Sequence, residues 1–68
     1  MSQLITTPNM ADPDGLYASL LAAHRGLTEA ESHAMNARLV LVLANHIGDR
    51  RVLDQALALA REGTGPAG

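Results

Sequence analysis

Between Thr28 and Gly48 the sequence spells one long helix with apolar residues on two nearly opposite sides, and this limits the possible folds more than any other feature. Thr28 and Glu31 form a capping box, in which a hydroxyl and a carboxylate each accept a backbone N–H at the helix start. Gly48 supplies a residue at ease in the left-handed conformation that closes a helix. The span Glu29–Ile47 is therefore expected to be helical, about 28 Å long at 1.5 Å per residue. At roughly 100° per residue, one face collects Ala30, Ala34, Ala37, Leu41 and Ala44, and the other Met35, Leu39, Val42, Leu43 and His46. Narrow polar strips separate them, Glu31, Arg38 and Asn45 on one side and His33 and Asn36 on the other, where Val40 and Ile47 also lie. Such a helix calls for neighbours on both sides.

The neighbours within the chain are two shorter helices, expected over 13–25 and 50–61. Asp12-Pro13-Asp14 is a helix start, with a capping carboxylate, a proline at the first helical position and negative charge at the positive end of the dipole. Gly15 weakens that turn, and Gly26 ends the helix near Arg25. Asp49, directly after Gly48, caps the third helix, whose Val52, Leu53, Ala56, Leu57, Leu59 and Ala60 oppose Arg50, Asp54 and Arg61. A connection this short predicts an antiparallel hairpin of the second and third helices. The organisation expected is an extended leader over 1–10, one helical domain over 11–62 and a flexible Gly/Pro-rich tail over 63–68.

The fold class is thus all-α, and composition agrees. Eleven leucines and twelve alanines, with Tyr17 the one aromatic residue, favour helix over strand. The chain has no cysteine, so neither disulfides nor thiolate metal clusters reinforce a domain of 68 residues. Two arrangements satisfy the two-faced helix. In the first, the other helices cover opposite faces, giving a flat three-helix layer whose broad sides stay exposed. In the second, the alanine face packs inside the chain and the face of Met35, Leu39, Val42 and Leu43 is a docking surface, with Asn45, His46, Asp49 and Arg50 as a polar anchor at its edge. In that corner, Asn45 and His46 are also placed to satisfy the last carbonyls of the central helix.

Catalysis lacks parts. His33 and His46 are far from the i, i+4 spacing at which two imidazoles share a zinc ion, and none of Ser2, Ser19 and Ser32 lies in a glycine-flanked elbow. His24 reads as a partly buried, hydrogen-bonded residue near a helix C-terminus. No catalytic residue, metal ligand or cofactor is assigned. Five arginines, no lysine and seven acids give a net charge of −2, which argues against nucleic acid and anionic membrane as partners even though Arg50 and Arg51 open a helix after a turn. The longest apolar run, Leu39 to Ala44, is far below the twenty or so residues of a membrane span, and Met1 to Met10 holds no basic, apolar targeting pattern, so a cytoplasmic location is expected.

Pro8-Asn9, Asp12-Pro13-Asp14, Tyr17, His24 and Gly26-Leu27, with Asn36-Ala37-Arg38-Leu39 and Leu43-Ala44-Asn45-His46-Ile47-Gly48-Asp49-Arg50, together resemble a family of short bacterial proteins of unknown function. The resemblance covers about Leu4 to Ala60. It brings no activity and no site residues. It implies a context, catabolic gene clusters beside flavin-dependent aromatic hydroxylases and other oxidoreductases. The expected function is therefore a non-catalytic accessory subunit of a larger catabolic oxidoreductase. Its alternatives are a homodimeric helical bundle of structural or regulatory role and a small-ligand or metal carrier using the histidines.

Overall fold

The structure, a computed structural model, describes residues 3–64. Three helices follow one another, α1 Pro13–His24, α2 Glu29–Ile47 and α3 Arg50–Gly63, and no strand occurs among the described residues. The all-α expectation holds, with α2 at the expected limits. α1 stops one residue short because Arg25 turns extended as its C-cap. α3 runs past Arg61 to Gly63, where Thr64 donates its hydroxyl to the Ala60 carbonyl at 3.1 Å and closes the last turn. The tail expected from residue 63 thus begins within this helix end, and its residues 65–68 lie outside the described residues, as do leader residues 1 and 2.

Local chemistry explains the helix ends. Thr28 Oγ1 accepts the Glu31 N–H at 3.1 Å and Glu31 Oε1 accepts the Thr28 N–H at 2.9 Å, so two donors without helical partners are satisfied reciprocally. Thr28→Ala should cost about 0.5–2 kcal/mol, read as a lower melting temperature; coincident melts would mean that the cap contributes nothing. Asp49 Oδ1 accepts from Arg51 and Val52 at the start of α3, and Asp12 Oδ1 accepts from Gly15 at the start of α1. A Cβ at Gly15 would run into that Asp12 carboxylate, so the glycine that weakens the turn also makes room for its cap. Gly48, at φ 72°, closes α2 in the left-handed region and lets α3 start two residues later.

Packing is where the molecule departs from an ordinary small domain. None of the described residues is fully buried. The chain exposes 5989 Å², whereas a compact monomer of its 7.1 kDa exposes about 4,100 Å². Its radius of gyration is 13.9 Å against about 11 Å for a compact fold of this length, and its extents are 41 × 36 × 21 Å. The molecule is thin and open. α1 lies along α2 on the side of Met35, Leu39 and Val42, and α3 on the side of Val40, Leu43 and Ala44, roughly 125° around the helix from the first at 100° per residue. α3 thus lies between the two apolar faces rather than on one of them, which corrects both expected arrangements: the alanine face neither packs inside nor is covered as in a flat layer. Ala30, Ala34 and Ala37 are exposed, Leu41 between them is more open than any other large apolar residue of α2, and only Ala44 is half-buried. The reason is the angular position of α3, which sits over Leu43 and Ala44 together, although the two belong to different apolar faces.

The leader is held at one point: the Leu4 N–H donates to Gln55 Oε1 on α3 at 2.8 Å, and Leu4 is half-buried there.

Candidate functional site

The outstanding surface is the middle of α2. Leu39, Val40, Leu41, Val42 and Leu43 are consecutive, so they point in every direction around the helix, and they remain between 36% and 69% exposed. Helices apolar around their whole circumference belong in the interior of a larger assembly. Covering one such side chain completely contributes about 1.5–3 kcal/mol, and with about half of each still open the five together contribute roughly 4–8 kcal/mol, a large part of the about 5–15 kcal/mol that stabilises a typical domain. Leaving them in water is therefore the dominant energetic feature of the isolated chain.

Two grooves flank this girdle. One, about 540 Å³, lies between α1 and α2 and is lined by Ala23, Leu27, Glu31, Ala34, Met35, Arg38, Leu39 and Val42. The other, about 430 Å³, lies between α2 and α3 and is lined by Val40, Leu43 and Ala44 on one side and by Leu53, Ala56, Leu57 and Ala60, with Arg50 and Asp54, on the other. The grooves differ in charge. Arg50 Nε and Asp54 Oδ1 pair at 3.1 Å, which leaves the α2/α3 groove with its charges matched. In the α1/α2 groove, Glu31 is engaged in the Thr28 cap, while Arg38 makes no hydrogen bond or ion pair among the described residues.

The residues expected to form one docking face are therefore divided. Met35, Leu39 and Val42 line the α1/α2 groove, and Leu43 lines the α2/α3 groove with Arg50. The polar anchor at Asn45 to Arg50 does not form as a unit. Asp49 caps α3 and Arg50 is paired with Asp54, so both are engaged within their own helix. Asn45 and His46 are exposed and make no side-chain hydrogen bond among the described residues. Of the turn network expected at this corner, the Asp49 cap forms and the Gly48 N–H donates to the Ala44 carbonyl at 2.9 Å, with no side-chain contribution from Asn45 or His46 among the described residues.

His24 is half-buried, as expected, but its partner was not foreseen: Nδ1 lies 2.9 Å from Ser32 Oγ, across the turn between α1 and α2. A serine and a histidine at this distance are two parts of a nucleophilic site. The third is missing, because among the described residues no hydrogen bond or ion pair orients the far ring nitrogen, and neither residue lines either of these two grooves. The pair instead ties α1 to the first turns of α2. Ser32→Ala should cost about 1 kcal/mol in thermal melts without changing helix content; no change in stability would show the bond to be incidental. Among the described residues, no three His, Asp or Glu side chains gather as metal ligands, and no helix is long and apolar enough to cross a membrane.

A family model described as "Protein of unknown function (DUF2783)" matches residues 4–62, from the leader residue held by Gln55 to the end of α3. No curated protein and no solved structure matches the chain.

Proposed function

The chain belongs to the DUF2783 family of proteins of unknown function, and from the surface its helices leave open we propose that it is a non-catalytic interaction subunit, completed by docking onto other protein. The observation that carries this reading is the girdle Leu39–Leu43, exposed around the full circumference of α2. A chain that turns over substrate alone needs a nucleophile, a base and an orienting group around a cleft, and the nearest approach to that is the two-membered His24–Ser32 pair outside both grooves.

For the partner, the α1/α2 groove is the better surface. It joins apolar Met35, Leu39 and Val42 to a cationic Arg38, so a protruding apolar side chain beside a carboxylate would fill and pair it. We take that partner to be a larger catabolic oxidoreductase of the bacterial cytoplasm, such as a flavin-dependent aromatic hydroxylase, on the gene-cluster context that the sequence resemblance implies. The subunit would act by holding or stabilising the enzyme, with no step of the reaction its own.

Calorimetric titration of the chain into a purified flavin-dependent aromatic hydroxylase tests this. Saturable binding with a negative heat-capacity change, weakened at least about a hundredfold by Leu39→Glu, is expected, because the substitution puts a carboxylate where an apolar side chain should dock and competes with the partner for Arg38. Absence of binding, or binding indifferent to Leu39→Glu, contradicts the reading.

A further inference from the structure

We infer that the α2/α3 groove is closed by the same hairpin of a second copy of this chain, so that the subunit is an obligate homodimer with its α1/α2 groove left free. The inference rests on the reading that protein completes this surface, and it names the first such protein. Three observations single out a second copy. The chain exposes roughly 1,900 Å² more than a compact monomer of its mass. A standard interface removes ~800 Å² from each partner, so this excess, spread over the leader and both grooves, leaves room for a second copy at the α2/α3 groove as well as a partner at the other.

The second observation is periodicity. Val40, Leu43 and Ala44 on α2, and Leu53, Leu57 and Ala60 on α3, follow the i, i+3, i+4, i+7 spacing by which one helix face meets another. Two helices joined by a two-residue turn and apolar toward the same groove are half of a four-helix bundle, and the missing half is the same pair again. The third is charge. Among the described residues the charged groups lining the groove, Arg50 and Asp54, already pair with each other, so closure by an apolar copy strands no charge. A partner recognised by its charge would find its counter-ion beside Arg38, in the other groove.

Sedimentation equilibrium of the purified chain with two matched variants tests the inference. Leu57 in the groove and Tyr17 on α1 are both 64% exposed in the single chain, so a monomer offers no reason for one to matter more than the other. The wild type should sediment at about twice 7.1 kDa. Leu57→Ala should raise the dissociation constant roughly a hundredfold, because even a tenfold effect enters once from each copy, and it should recover wild-type helical circular dichroism at high concentration. Tyr17→Ala should leave the dimer unchanged. A monomeric wild type, an assembly larger than two chains, or a dimer indifferent to Leu57→Ala overturns the inference. The manner of failure separates it from the docking reading. A monomer that melts cooperatively with protected amides sinks both, while a monomer that melts without cooperativity sinks the second copy alone and leaves α2 needing a different protein.

Discussion

A hundredfold dilution of the purified chain should lower its melting temperature by roughly 10 °C. Where the folded unit is two chains, mass action favours unfolding on dilution, and each tenfold step removes about 1.4 kcal/mol from the stability of the pair. Two such steps remove about 2.7 kcal/mol, and for an assembly of this size each kcal/mol moves the midpoint by several degrees. The effect is large because the described part of a single chain has no buried residue to fall back on. Circular dichroism melts at two concentrations measure it. Superimposed melts would mean that α1, α2 and α3 hold together unaided.

Leu43→Glu should be the most damaging single substitution on α2. In one chain Leu43 is 49% exposed, and there a glutamate, a good helix former with its carboxylate in water, would change stability by about 0.5 kcal/mol or less. Sealed between two hairpins, the same carboxylate would face the apolar Leu53 and Leu57, while Arg50 sits in solvent at the edge of the groove beside Asp54. An unpaired charge in such a place costs about 3–5 kcal/mol, enough to abolish association and most of the cooperative fold with it. Sizing by light scattering together with a denaturant titration reads both effects. A Leu43→Glu chain that sizes and unfolds like the wild type would remove Leu43 from any interface.

Much of the fold was legible because helix ends are set by short-range chemistry. Thr28 with Glu31, Asp12 before Pro13, and Gly48 before Asp49 each satisfy backbone groups within three residues, and each does in the structure what its residue type dictates. Facial packing was less legible. Leu43 and Ala44 fall on different apolar faces when α2 is divided by helical angle, yet both line one groove wall, because the two-residue turn sets where α3 crosses. A sequence with apolar residues all around a helix cannot fix that crossing by periodicity alone. The polar corner was overestimated for a related reason: Asp49 and Arg50 are type-appropriate anchors, but each has a nearer claim, a helix cap and an i+4 partner. The His24–Ser32 contact links residues on two helices across a turn and leaves no periodic trace; the one available signal was that both flank the short connection from Arg25 to Thr28.

The central claim is that α2 is stable only when another chain completes it, and amide hydrogen exchange across Leu39–Leu43 tests it most directly. Measured above and below the concentration at which the assembly dissociates, the five amides should be protected in the concentrated sample and exchange close to freely in the dilute one, since local protection can be no greater than the stability of the unit that closes over it. Equal, strong protection at both concentrations would show that α2 is stabilised within a single chain and would contradict the account.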